Sequence, residues 1–386
     1  MQSCVSAVKT VSRSLSKCHS HRVCPPMRSD GYTTAASRWH LLLMAGMAFC
    51  LGACSTLGYY AQSVSGQLDV LQRRQPITQL LQDDTQPSEL RDKLEAVVRI
   101  RRFATTALQL PDNDSYTSYV LLDRRYVVWN VFAAPEFSVQ LREWCFPVAG
   151  CVRYRGYFRE SAAHDYASGL AAAGFDTYVG GAVAYSTLGW FDDPVFSSLT
   201  GLSDARLAGV IFHELAHQQL YIADDTTFNE GFAMTVELEG VAAWLKSNAT
   251  AAEAAEYALF LARQEDFVAL VRRTRDQLQT LYESDAASDE KRREKTRLFA
   301  AMGSSYVTLK RSWGGYDGYD AWFADGLNNA KLAAVGTYRD YVPWFRQLFR
   351  QSGGDFAAFY RAAAAIGALP KDQRLDRLRE ASSGSW

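Results

Sequence analysis

The chain carries almost no net charge: 41 Lys and Arg against 42 Asp and Glu leave a formal charge of −1. That removes the electrostatic basis for binding nucleic acid or an anionic surface, so no nucleic-acid partner is expected. No glycine-rich loop of the phosphate-cradling or dinucleotide type occurs among its 26 glycines, which removes that route to nucleotide chemistry. The apolar run over 41–53 is too short to span a bilayer; preceded by Arg38 and His40, it has the size of a signal-peptide core. Five of seven cysteines lie at or before Cys54, so only Cys145 and Cys151 remain beyond it. Histidine is scarce too: of six, His164, His213 and His217 alone follow residue 54.

What is present is apolar and aromatic. With 386 residues, 48% hydrophobic and 13% aromatic, the chain can bury a sizeable core as one large domain or two closely packed parts. Residues 55–110 read as helical, with Pro76 and Pro87 as punctuation. From about 111 to 200 the pattern turns β-rich: Tyr119 to Leu122, Tyr126 to Phe132, Val152 to Phe158 and Phe175 to Tyr185 are strand-like. A helix is expected between, from Glu160 to Ala173, ending at Gly174. From about 201 to 370 the chain reads as mostly helical, interrupted by a Gly-, Tyr-, Trp- and Asn-rich loop over 313–329. The tail from Pro370 is charged, then Ser- and Gly-rich, and is expected to fray. The fold class is therefore α+β, a β-containing part followed by a helical one.

The chemistry concentrates in 211–231. His213 and His217 are four apart, which stacks two imidazoles on one face of a helix. Glu214 lies beside them, placed to take a proton from a metal-activated water. Ser203 and Asp204 mark the start of that helix, and Leu207, Val210, Ile211, Leu215 and Ala216 give it an apolar face. After a loop and cap at Asp224–Thr227, a second helix carries Glu230, Glu237 and Glu239. Glu230 can supply a third, anionic ligand; two His, one carboxylate and an open fourth position describe a catalytic zinc site. Glu237 competes for that role, but the Asn-Glu dipeptide sits at Asn229-Glu230. Two turns further on, Glu237 suits a place behind the ligands or against substrate. Leu220 and Ala223 stand where the metzincin pattern needs Gly and His. The bland alternative is two core histidines on an amphipathic helix; His164, between Ala163 and Asp165, reads as a surface residue.

His213-Glu214-Leu215-Ala216-His217-Gln218, followed by Asn229-Glu230-Gly231-Phe232-Ala233 and Val236-Glu237, resembles the zinc signature of the membrane alanyl aminopeptidases, which are gluzincins. The connection from His217 to Glu230 is shorter here than in that family. The whole chain is similar to a group of bacterial aminopeptidase-like lipoproteins with the shortened form, also through Tyr185 to Trp190, Trp313 to Tyr319 and Asn328-Asn329-Ala330. The resemblance implies a zincin-like fold, Zn²⁺, a peptide substrate and aminopeptidase activity. It implies a transition-state tyrosine downstream of the third ligand. Tyr306, Tyr316, Tyr319, Tyr338 and Tyr341 qualify by order, and Tyr338 is preferred. Glu237 would bind the substrate amine, with Asn328 and Asn329 as further substrate contacts. Gly180 to Tyr185, with glycines that admit another backbone, is the candidate edge strand for pairing with a peptide.

The start of the chain points to a compartment. Leu51-Gly52-Ala53-Cys54 resembles a bacterial lipobox, which implies cleavage of 1–53 as a signal peptide and acylation of Cys54. The mature peptidase domain would then be 54–386, anchored in a membrane by several acyl chains. A start at Met27 would leave a compact n-region. Ser55 after the lipidated residue suggests the periplasmic face of the outer membrane. In that oxidising compartment, Cys145 and Cys151, flanking a turn-like Phe-Pro-Val-Ala-Gly, are expected to form a disulfide. The competing functions are an envelope endopeptidase and a non-catalytic, lipid-anchored binding or assembly protein.

Overall fold

Why the strands and helices segregate is visible in the computed structural model, which describes residues 58–383 except 147–149, 188, 224 and 337–340. Residues 1–53, Cys54 and Tyr338 lie outside the described set. A first helix, α1, covers 58–73, and a short strand, β1 (Gln75–Pro76), leads into α2 (Ile77–Gln82) and α3 (Ser88–Thr106). Pro87 precedes α3, where its missing N–H costs nothing. The face of α3 bearing Leu94, Val97, Ile100 and Ala104 is buried.

The strands that follow are short, β-branched and aromatic. β2 (Ser118–Val120) lies between β1 and β8 (Val195–Phe196) in one small sheet. β3 (Val128–Pro135) is the centre of a second, flanked antiparallel by β6 (Arg155–Tyr157) and β7 (Phe175–Ala182). The two cysteines lie directly opposite each other on the hairpin of β4 (Trp144–Phe146) and β5 (Gly150–Val152), and they are bonded. α4 (Glu160–Ala172) covers the β3 sheet and ends at Gly174, whose φ of 87° only glycine adopts freely.

From Asp204 onward every described element is helical. α5 (Asp204–Gln219) and α6 (Thr226–Asn248) pack together at the centre of the largest core, with α3, α11 (Val342–Gln351) and α12 (Phe356–Gly367) around them. α7 (Ala251–Glu283) and α8 (Ser288–Ser312) form a long antiparallel pair over a second core. The aromatic loop beyond α8 is not open: Tyr319, Trp322 and Phe323, around the short α9 (Asp320–Ala324), pack on Phe267 and Tyr306 of that core. α10 (Asn329–Gly336) then rests on the β3 sheet, and Pro343 starts α11.

The tail departs from expectation. It forms a helix, α13 (Lys371–Ser383), with Leu378 fully buried. Arg374 pairs with the buried Asp225 at 2.8 Å and so fastens the tail to the start of α6.

Candidate metal centre and its cavity

The two helices that meet here are each fixed at their first turn. Asp204 opens α5 and is held by Lys93 Nζ at 2.7 Å. Leu207, Ile211, Phe212, Leu215 and Ala216 are buried against α3 and α6, and this turns His213, Glu214 and His217 together onto the remaining face. The Asp225 carboxylate caps α6 by accepting the Phe228 N–H at 3.2 Å. Asn229 clamps the intervening loop, donating to the Ile222 carbonyl and accepting from the Ile222 N–H, both at 2.8 Å. The residue beside that clamp is Glu230.

Three side chains converge. His213 Nε2 lies 3.4 Å from Glu230 Oε2 and His217 Nε2 lies 3.7 Å from Glu230 Oε1. The candidate ligand atoms all fall within 4.8 Å of one another. Four ligands about 2.0–2.1 Å from a tetrahedral zinc stand roughly 3.3 Å apart, so these residues fit such an ion. Burial opposes charge on His213, but hydrogen bonds to Glu230 and Glu237 carry its pKa well above the usual value. Burial lowers His217 to about 4, keeping an uncharged imidazole at neutral pH; its Nδ1 is buried without a hydrogen-bond partner. Burial also disfavours the Glu230 carboxylate, yet His213 and His217 hold its pKa below the ordinary value. The donor set of two imidazole nitrogens and one carboxylate suits zinc.

Glu237 is placed differently from the substrate role expected of it. Its Oε2 accepts from His213 Nδ1 at 3.0 Å, on the side of the ring away from Glu230. There it fixes the ring orientation, as carboxylates behind metal-binding histidines do. Space for it comes from Gly209, where a Cβ would lie 3.3 Å from the Glu237 Cγ and Oε1 atoms.

Glu214 faces a cavity of about 550 Å³ together with His213, His217 and Glu230. Burial raises its carboxyl to about 7, a value suited to exchanging protons near neutrality. Three residues that sequence patterning did not single out surround these groups. Tyr154 lines the cavity; burial raises its phenol, with the charges of Glu230 and Glu214 acting in the same direction. Behind Glu214 lie Tyr116 and Asp193, both buried and electrostatically coupled to it. Tyr116 holds a φ of 63° and its hydroxyl has no partner, a strained placement of the kind found at functional sites. The one available signal was Tyr154's position in a strand-like run; Tyr116 and Asp193 have none.

Phe146 and Val152, on either side of the disulfide, also line the cavity, as do Ala184 and Ser186 beyond the end of β7. β7 is an edge strand. Its Gly181, however, gives room to the Tyr126 ring, which lies 2.1 Å from where a Cβ would be. That glycine serves internal packing, not the approach of a second backbone.

Asn328 and Asn329 do not line the cavity, contrary to the substrate role expected of them. Asn328 donates to the Thr177 carbonyl at 2.9 Å, and Asn329, fully buried, donates to the Pro135 and Glu136 carbonyls and accepts from the Tyr282 hydroxyl. They satisfy backbone groups at the ends of β3 and β7. Tyr306, Tyr316, Tyr319 and Tyr341 also lie outside the lining, and His164 is exposed.

Residues 58–378 match the model of a family described as "Putative aminopeptidase". No curated protein matches the chain, and no solved structure does.

Proposed function

The chain belongs to this aminopeptidase family, and from that premise we propose that it is a zinc-dependent aminopeptidase, held at the cell envelope by an acylated Cys54. The carrying observation is the convergence of His213, His217 and Glu230 on one point, with Glu214 beside them in the same cavity. The two histidines and Glu230 would hold the ion. When bound, zinc supplies Lewis acidity toward a peptide carbonyl and makes a water nucleophilic near neutral pH.

The remaining work falls to the chain. Glu214 takes a proton from the attacking water as its oxygen bonds to the carbonyl carbon. The same proton passes to the leaving nitrogen as the C–N bond breaks. Tyr154, one of the tyrosines lining the cavity and kept protonated by burial, is the donor we assign to the developing oxyanion; Tyr338 is the alternative from farther along the chain. Glu237 keeps His213 in the right tautomer. The stretch after β7, with Ala184 and Ser186 on the cavity, offers backbone for the peptide to pair with.

One observation favours an endopeptidase as the second reading. Among the described residues, Glu214 and Glu230 are the only carboxylates lining the cavity, and Glu237 is engaged behind His213, so a free amine finds no carboxylate of its own.

The test is metal content and cleavage on wild type and Glu230→Ala in parallel. Near-stoichiometric zinc in the wild type, lost in the variant, supports the ligand set; a folded wild type that takes up no added zinc sinks it. Cleavage of free-amine peptides alone, with N-acetylated ones resistant, supports an aminopeptidase, whereas equal cleavage of both supports the endopeptidase.

A further inference from the structure

Most of the large apolar side chains left exposed lie on α1 or on loops bonded to its end; Leu259 and Val307, on α7 and α8, are the exceptions among the described residues. Eight large hydrophobic residues are exposed among the described residues. Tyr60, Val64 and Leu68 are three of them, 40%, 59% and 49% exposed; at i, i+4 and i+8 they form one stripe along α1. Three more sit on loops bonded to the end of the same helix. Arg74 donates to the Asp192 carbonyl at 2.8 Å, beside Trp190 and Phe191, and Arg73 pairs with Asp123 at 3.3 Å, two residues from Leu121.

This stripe is surplus to folding. α1 is already bound through its other side: Gln62 accepts from the Phe158 N–H at 3.1 Å, Gln67 bonds the Tyr185 hydroxyl, Val70 is buried, and Tyr59 and Ser63 reach the cavity. A soluble helix normally turns polar residues outward; here Tyr60, Ala61, Val64 and Leu68 face out, with Ser65, Gln72 and, at its end, Arg73. An exposed apolar patch of this kind marks a surface that is covered in use.

We infer that α1, with the Trp190–Phe191 loop beside it, lies in the surface of the lipid bilayer. The inference rests on the proposed anchor at Cys54. From Cys54 to Gly58, where α1 begins, an extended chain reaches at most about 14 Å. An acylated Cys54 therefore keeps this stripe within one small tether of the headgroups. No helix among the described residues is long and apolar enough to cross a membrane, so the helix lies along the surface. Tyr and Trp are the residues that favour the interfacial zone. The only charges on the helix itself are Asp69 and Arg73, so the attachment is apolar and insensitive to salt.

The full-length chain bearing Val64→Cys is spin-labelled and reconstituted in phosphatidylethanolamine–phosphatidylglycerol vesicles, with Ser304→Cys, exposed on α8, as a control. Intact mass reports whether Cys54 is acylated. The expected result is that the label at 64 loses most collisions with a water-soluble nickel chelate and gains collisions with oxygen, while the label at 304 does not change. Free access of the chelate to position 64 in acylated protein overturns the inference and leaves the anchor standing. Loss of both collision types means a protein covers the stripe, a second copy or residues 41–53, and also overturns it. If Cys54 carries no lipid, the anchor reading fails, and repeating the measurement with the five cysteines up to Cys54 replaced by serine, so that only position 64 takes the label, decides for or against the bilayer.

Discussion

Glu237 Oε2 lies 3.0 Å from His213 Nδ1, so the histidine that faces Glu230 with one nitrogen is gripped by a second carboxylate through the other. Removing that grip leaves all three candidate ligands in place and loosens one. Glu237→Ala should weaken zinc binding about 10- to 100-fold, and Glu237→Gln should recover part of the loss because its amide oxygen still accepts the N–H. Chelator competition measures both; unchanged affinity in the alanine variant would show the contact to be dispensable.

Burial sets a pH signature for Glu214. In the metal-free folded chain its carboxyl keeps a proton up to about 7, against an ordinary value of 4.5. The folded state thus binds more protons in that window, and this group's contribution to stability falls as pH rises through it. His217, lowered to about 4, has the opposite slope, so wild type alone would not isolate the effect. Glu214→Gln removes only the first. In chelator-treated protein the variant should gain on wild type from about pH 5 to about pH 8, by at most roughly 3 kcal/mol. A pH-independent difference in denaturant titrations would contradict the raised value.

The Cys145–Cys151 bond closes a short loop, and the residues next to it, Phe146 and Val152, form part of the cavity wall. Replacing both cysteines with serine should cost about 2 kcal/mol through the unfolded chain's regained freedom. It should raise KM more than it lowers kcat, because the hairpin shapes the wall and carries no candidate ligand. Peptide kinetics and urea unfolding on the oxidised and double-serine proteins check the two parts separately.

Arg374 and Asp225 bond at 2.8 Å with side chains only 13% and 7% exposed. Arg374→Ala leaves a buried carboxylate without its counter-ion, which should cost about 3 kcal/mol. Asp225 also caps α6 shortly before Glu230, so zinc affinity should fall as well. Urea unfolding of the single variant, and of Arg374→Ala combined with Asp225→Asn, checks this: the second substitution should return part of the loss.

How much of this was legible depends on how far apart in the chain the partners are. His213, Glu214 and His217 were readable because helical spacing alone puts them on one face, and Glu230 and Glu237 because a short loop returns the next helix beside it. The hairpin cysteines were readable for the same reason. Asn328 and Asn329 were expected to contact substrate because they match the group that the chain resembles and sit in a Gly- and aromatic-rich loop of the kind that often carries function. Their partners, the carbonyls of Thr177, Pro135 and Glu136, lie more than a hundred residues away, and no local pattern encodes them. α13 was missed because few of its residues are apolar and its anchor, Asp225, belongs to a distant helix. Tyr116 and Asp193 reach Glu214 only through the tertiary fold.

Gly209 has no side chain, yet Glu237 occupies the room that a methyl group there would claim. A methyl group there would press on the Glu237 side chain by a few tenths of an ångström, so a mutational screen scored by activity should register this position, although nothing at 209 can bind, donate or accept beyond its backbone. The centre's tolerance of sequence drift is bounded by a hydrogen atom on α5 as well as by its ligands.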